Sequence, residues 1–115
     1  MKSDFLEQCV KRLEQGAVEY GDESFYSPTE KLVADIEEEL LDVANWSSIL
    51  AVSGTSHEAK KFLAWVCRWA RMVNQKLDEA KSDGLFDRQQ ISKKEAVDFV
   101  DETRKFLKQS LGEKI

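Results

Sequence analysis

Apolar residues recur at three- and four-residue spacing along most of the chain, which is the period of an amphipathic α-helix. This spacing predicts four helices, over about residues 4–20, 28–52, 56–81 and 92–112. Each predicted start has residues that can cap a helix N-terminus, and three of them have the Ser/Thr-x-x-Glu form of a capping box. The predicted caps are Ser3 or Asp4 for the first helix, Ser27 with Pro28 and Glu30 for the second, Thr55 with Glu58 for the third, and Ser92 with Glu95 for the fourth.

Helix-stopping residues are few, and they fall where the pattern breaks. The chain has five Gly and one Pro, too few for the many turns of an all-β fold. Gly21, Gly54 and Gly84 follow the first three predicted helices. Short connections favour antiparallel neighbours, so we expect an all-α, mostly antiparallel four-helix bundle.

The length of 115 residues suits a single helical domain spanning 1–115. A domain of this size has a small core, so we expect a dimer or larger oligomer to complete the bundle. Trp46, Trp65 and Trp69 on two neighbouring helices fit that expectation. The alternative is that all three fill the core of one chain.

The two cysteines predict reduced, buried thiols rather than a disulfide or a zinc site. Cys9 and Cys67 are far apart in the sequence, and His57 is the single histidine. No stretch reaches the roughly 18 apolar residues of a membrane span, and the first residues lack the apolar core of a signal peptide. We therefore expect a cytoplasmic protein without a membrane partner.

Charge divides the chain into an acidic half and a basic half. Residues 1–58 carry four Lys/Arg and thirteen Asp/Glu, a net charge of −9, whereas residues 59–115 carry thirteen and nine, a net charge of +4. The overall net charge of −5 argues against binding to nucleic acid polymers. The halves either attract each other, or they hold a metal and an anion respectively.

Four carboxylates of the second helix share one sector. At about 100° per residue, Asp35, Glu38, Glu39 and Asp42 fall within roughly 100° of each other. Trp46 and Ile49 continue the same line one turn later, which predicts that the acids lie at the mouth of a groove. Mg²⁺ prefers such oxygen ligands, and it would offset the repulsion among like charges. A solvated acidic face is the equally open alternative.

The third helix carries a basic stripe that could complement the acids. Lys61 and Arg68 lie at its edge, beside Trp65 and Met72, where they could reach a pocket or a partner chain. A basic stripe facing solvent is the simpler interpretation of the same pattern.

The string Glu38-Glu39-Leu40-Leu41-Asp42-Val43-Ala44-Asn45-Trp46 resembles the E-x-x-D helix of all-α nucleoside triphosphate pyrophosphohydrolases, the MazG-like and dimeric dUTPase-like superfamily. The upstream segment 14–22 is also similar to the helix end that precedes this motif. The resemblance covers about residues 10–52. It implies a helical bundle, dimeric or tetrameric, that uses Mg²⁺ to hydrolyse an NTP or dNTP to the monophosphate and pyrophosphate.

The resemblance implies a role for individual residues. Glu39 and Asp42 match the E-x-x-D metal ligands, with Glu38 as a further ligand. Glu38 or Asp35 would orient or deprotonate the attacking water. The remaining roles are pyrophosphate binding by Lys61 or Arg68 and base stacking by Trp46 or Tyr20.

One family feature has no counterpart in this chain. The family places an E-x-x-E pair on an earlier helix, whereas Glu14 and Glu19 are five residues apart. Two alternatives to an enzyme therefore stay open. The first is a non-catalytic helical interaction or regulatory module, such as a phage or accessory protein. The second is a nucleotide or metal sensor without turnover.

Overall fold

The computed structural model describes residues 4–20, 27–87 and 99–112, and within these ranges the side chains of all but 17–20 and 99. The described residues form four helices and no strand. These are α1 (Phe5–Tyr20), α2 (Thr29–Val52), α3 (His57–Ser82) and α4 (Phe99–Leu111). The predicted all-α class is confirmed. The predicted start of the fourth helix at Ser92 lies outside the described residues.

The chain divides into two compact units, each built on one pair of helices. Pro28–Arg88 contains α2 packed on α3, and Met1–Ser27 with Gln89–Ile115 contains α1 packed on α4. The division concerns packing alone, so the single domain over 1–115 stays a prediction.

The α2–α3 pair is an antiparallel helical hairpin. Lys81 Nζ lies 3.2 Å from Glu37 Oε1 at its open end. Near the middle, Cys67 Sγ donates to the Ala44 carbonyl oxygen at 3.5 Å. These two contacts set the register: residue numbers rise along α2 in the direction in which they fall along α3. The antiparallel arrangement expected from the short connection is confirmed for this pair.

Two predicted caps of the hairpin are wrong by one residue. Pro28, with φ −55° and ψ 145°, is itself the N-cap of α2, and its carbonyl oxygen accepts from Lys31 N and Leu32 N. Ser56, not Thr55, caps α3, because its Oγ accepts from Ala59 N at 3.1 Å. The Thr55 hydroxyl instead donates to the carbonyl oxygen of the preceding helix, at Ala51. Gly54 has a φ of 86°, a left-handed conformation that suits glycine and ends α2 as predicted.

The α1–α4 pair is also antiparallel. Asp4 caps α1, as predicted, by accepting from Glu7 N at 2.8 Å. Arg104 Nη2 lies 2.9 Å from Glu14 Oε1. Gly112 lies close to Leu6 at the other end of the pair, since a Cβ added to Gly112 would be 3.3 Å from Leu6 Cδ2. The hydrogen bond that Arg104 donates to the Glu14 carboxylate is the main cause of the raised pKa of Arg104. On α4, Phe106 is exposed.

The hairpin core is narrow and consists mainly of small or medium side chains. Among the described residues, five are buried, and all five lie on α2 or α3. They are Val33, Leu40, Ser47, Leu63 and Ala70. Cys67 and Cys9 are free thiols, as predicted, but both are half-buried rather than buried. No described helix is long and apolar enough to cross a membrane.

Candidate functional site

Three of the four predicted carboxylates of α2 lie on its outer side, and the fourth, Glu39, directly precedes the buried Leu40. Asp42 follows the buried Leu40 by two residues, and Glu38 precedes it by two, which places both about 160° away from the contact with α3. Asp35 stands in the same relation to the buried Val33. Asp35, Glu38, Glu39 and Asp42 are all exposed. The structure therefore leaves them on open surface, not at the mouth of a groove.

Three of these carboxylates have no cationic neighbour in the described part of the chain. Asp35 pairs with Lys31, one turn earlier, at 3.1 Å. No described Lys or Arg nitrogen lies within 4.0 Å of Glu38, Glu39 or Asp42. Their mutual repulsion is therefore not offset by an ion pair with any described residue.

The two predicted phosphate ligands lie on the outer side of α3. Lys61 precedes the buried Leu63 by two residues, and Arg68 precedes the buried Ala70 by two. Both side chains are exposed, about 160° from the contact with α2. Within the hairpin the structure therefore does not bring Lys61 or Arg68 to the carboxylates, since both helices stand between them.

The predicted stacking and metal groups are only partly described. Trp46 is exposed on α2, and the side chain of Tyr20 lies outside the described residues. In the described ranges, no group of three or more His, Cys, Asp or Glu side chains is arranged to hold a metal ion. The Mg²⁺ site stays a prediction.

Large apolar side chains cover one side of the α2–α3 hairpin. Trp46, Trp65 and Trp69 are 69%, 54% and 43% exposed, so they do not fill the core of this unit. The Phe62 and Trp65 rings are stacked with centroids 5.8 Å apart. We call this surface the apolar face, and define it by eight exposed or largely exposed residues: Ile36, Val43, Trp46, Leu50, Phe62, Trp65, Trp69 and Met72.

A simple sequence relationship gathers these eight residues on one side. Each directly precedes a buried or half-buried residue, as Trp46 precedes Ser47 and Phe62 precedes Leu63. Each is therefore about 100° back from the line where the two helices touch. Because the helices are antiparallel, the residue directly before a contact residue lies on the same side of the hairpin in both helices.

The residues that follow the buried positions confirm this geometry on the opposite side. Two cavities run along it, of about 340 and 160 Å³, and both include Cys67. The smaller cavity joins Leu41, which follows Leu40, to Arg71, which follows Ala70. The larger one includes Lys60 and Val52, and none of the four predicted carboxylates lines either cavity. We call this side the groove side.

Charged residues border the apolar face on both helices. On α2 the residues directly before Ile36 and Val43 are Asp35 and Asp42. On α3 the residues directly before Phe62 and Trp69 are Lys61 and Arg68. The face thus has an acidic border along α2 and a basic border along α3.

The sequence alone does not reveal the apolar face. Helical spacing alone places Phe62 and Trp69 in one stripe with Val66, Val73 and Leu77, but the structure splits that stripe. The three aliphatic residues are half-buried, whereas the rings turn outward. The available signal was that some of these large residues are followed directly by a small one, as in Trp46-Ser47 and Trp69-Ala70.

No protein-family model, curated protein or solved structure matches this chain.

Proposed function

We propose that this chain is a helical protein-interaction module whose α2–α3 hairpin binds a protein partner through the apolar face. The observation that carries the proposal is the exposure of eight large apolar side chains on one side of the hairpin, beside a narrow core. Water-soluble monomers rarely expose apolar patches of more than a few hundred Å² unless the patch binds something. Tryptophan is also the residue type most enriched among the side chains that dominate binding energy at interfaces.

The borders of the face support a protein partner over a small molecule. Interfaces combine an apolar centre with a polar rim, and here the rim is acidic on α2 and basic on α3. A small ligand would instead favour a concave pocket that encloses most of its surface. The two half-buried free thiols are typical of a reducing compartment, so we include a cytoplasmic location in the proposal.

A capture experiment with matched variants tests this proposal. Tagged full-length protein is used to retain partners from an extract of its source cells, and the retained proteins are quantified by mass spectrometry. The face variant carries Trp46→Lys and Phe62→Lys. The control variant carries Leu41→Lys and Val52→Lys, which are equally exposed apolar positions on the groove side.

We expect the wild type and the control to retain the same partner, which can be the untagged chain itself, and the face variant to lose it. Circular dichroism checks that all three proteins have the same helical content. Equal retention by the face variant would contradict the proposal, because the binding would then not use the apolar face.

A second candidate is a Mg²⁺-dependent nucleotide pyrophosphohydrolase. The observation that favours it is the exposure of Glu38, Glu39 and Asp42 without a cationic neighbour among the described residues. These carboxylates have the oxygen chemistry that Mg²⁺ prefers, and they match the motif of the family that the sequence resembles. Lys61 or Arg68 would have to come from another chain to bind the phosphates.

Thermal melting tests this second candidate. We expect a melting temperature raised by several degrees when Mg²⁺ and one NTP or dNTP are both present near 100 times their dissociation constant. Glu39→Ala with Asp42→Ala should abolish the shift, whereas Asp78→Ala with Asp83→Ala should keep it. Pyrophosphate release then separates an enzyme from a nucleotide sensor. No shift with any nucleotide would exclude both.

A further inference from the structure

The charged borders of the apolar face indicate which partner it binds. We propose that the apolar face binds the apolar face of a second copy of this chain, with the two hairpins related by a two-fold axis parallel to their helices. The proposal rests on the proposed function and names the partner. In this arrangement α2 of one copy lies antiparallel against α3 of the other.

The size of the face fits a dimer interface. From the exposed fractions and the sizes of the eight side chains, the surface that they could bury is on the order of 800 Å² per copy. That is about the area that each partner contributes to a standard specific interface. A two-fold interface also needs one patch that matches itself, and a two-helix face with a row of large apolar side chains along each helix meets that requirement.

The register of the hairpin sets which residues meet. A two-fold axis parallel to the helices keeps every residue at its own level along the bundle. The Glu37–Lys81 and Ala44–Cys67 contacts put Glu39 level with about residue 76 of α3, and Trp46 level with about residue 68. Glu39 of one copy is therefore level with Lys76 of the second, and Trp46 with Arg68 of the second.

These meetings are electrostatically favourable. Glu39 directly precedes the buried Leu40, and Lys76 directly precedes the half-buried Leu77, so both lie on the same side as the apolar face. Asp42 on the acidic border falls between Lys76 and Arg68 of the second copy. A guanidinium such as that of Arg68 also binds well against the face of an indole such as Trp46.

The charge pattern disfavours the other face-to-face arrangement. An axis perpendicular to the helices would lay α2 on α2 and α3 on α3. The basic border of α3 would then meet its own copy, with Arg68 close to Arg68 of the second chain. Like charges at an interface cost several kcal/mol and suppress wrong pairings. Charge therefore selects the parallel axis, in which acidic α2 meets basic α3 along both edges.

A charge-exchange experiment on the full chain tests the pairing. The acid variant carries Glu39→Lys with Asp42→Lys, and the base variant carries Arg68→Glu with Lys76→Glu. All four side chains are exposed in the single chain. The control carries Lys60→Glu and Arg71→Glu, exposed basic residues of the same helix that line the groove side. Masses are measured by light scattering after size exclusion.

We expect the wild type and the control at about twice the chain mass of 13.2 kDa. The acid and base variants should each have the single-chain mass, because both edges of either homodimer carry like charges. An equimolar mixture of the two should return to twice the chain mass, since both edges of the mixed dimer are complementary. That recovery also shows that neither variant is misfolded.

Three results would overturn the inference: a wild type at single-chain mass, a dimer that survives in either variant alone, or a mixture that fails to recover. The capture experiment distinguishes this failure from failure of the proposed function. If the wild type is monomeric yet the face variant loses a different captured protein, only the second-copy assignment falls. If the wild type is monomeric and no capture depends on the face, both proposals fall.

Discussion

Phe62 and Trp65 stack on each other with ring centroids 5.8 Å apart and an interplanar angle of 27°, although both rings are mostly exposed. Residues three apart on a helix are neighbours, so the pair is held by α3 itself and needs no tertiary contact. Two rings fixed in this way form a rigid apolar anchor that loses little conformational entropy on binding. The pair forms the N-terminal end of the α3 half of the apolar face.

Tryptophan fluorescence should report association through this face. The chain has three Trp, and all of them belong to the apolar face. We predict that raising the concentration from about 1 to about 100 μM shifts the emission maximum to shorter wavelength and reduces quenching by acrylamide, because burial removes the rings from water. The measurement is steady-state emission with a quencher titration.

The variant with Trp46→Lys and Phe62→Lys is the control for that experiment. Its two remaining tryptophans should be quenched equally at both concentrations. A wild type whose quenching is strong and independent of concentration would contradict the prediction, since its rings would then stay in water.

Two adjacent leucines should differ sharply in their contribution to stability. Leu40 is 8% exposed and Leu41 is 60% exposed, because one faces α3 and the other borders the groove side. We predict that Leu40→Ala lowers the free energy of unfolding by about 2–3 kcal/mol, since it leaves a cavity in a narrow core. Leu41→Ala should cost less than about 1 kcal/mol. Urea unfolding at one fixed protein concentration measures both, and equal losses would contradict the assigned core.

The start of α3 should depend on Ser56 and not on the capping box that begins at Thr55. Ser56→Ala removes the acceptor of the Ala59 N–H, and we predict a loss of about 1 kcal/mol in unfolding free energy. Ser56→Asp should retain most of the stability, because Asp is an equally good N-cap. Thermal melting of the two variants checks this, and a Ser56→Asp variant as unstable as Ser56→Ala would argue against capping.

The Arg104 ion pair should stabilise the α1–α4 pair equally across the neutral and mildly basic range. The hydrogen bond that Arg104 donates to Glu14, and secondarily the one that it donates to Asp101, raises the pKa of Arg104 above its already high ordinary value. A basic group whose pKa is raised by folding stabilises the protein fully when the pH is below its pKa in the unfolded state. That stabilisation is lost only as the pH rises through its pKa in the folded state. For Arg104, both pKa values lie above the pH range of the experiment.

The measurement is the difference in melting temperature between the wild type and Arg104→Gln. We predict a small difference that stays constant between about pH 7 and 10, because Arg104 remains charged in both the folded and unfolded states. Glu14→Gln should give a loss of similar size, and the double variant should add little to either. A difference that disappears by pH 10 would assign the effect to another group.

The helices were predictable because each begins and ends with local signals. Gly54 and Gly84 end α2 and α3 at left-handed residues, and the apolar spacing was strong enough to give element type and approximate length. The caps were less predictable, since Thr55 and Ser56 both have a suitable hydroxyl and only backbone geometry decides between them. Local sequence therefore determined the elements, but not the choice of cap between neighbouring residues.

The surface was harder to predict because burial depends on which of several apolar stripes meets the neighbouring helix. Helix α3 has more apolar positions than one partner helix can cover. Helix α2 packs on the line of Leu63 and Ala70, which leaves the neighbouring Phe62 and Trp69 outside the shared core. Small residues at the contact line decided the outcome, and hydrophobicity alone would have ranked the tryptophans first. The carboxylates were correctly grouped on one sector, but their burial could not be judged without the position of α3.

The most direct test of the central claim, that the apolar face is covered by a second copy, is the mass of the full chain at about 100 μM by sedimentation equilibrium. The wild type is compared with the variant carrying Trp46→Lys and Phe62→Lys. We predict about twice 13.2 kDa for the wild type and 13.2 kDa for the variant. A wild type at 13.2 kDa, or a variant that remains a dimer, would contradict the claim.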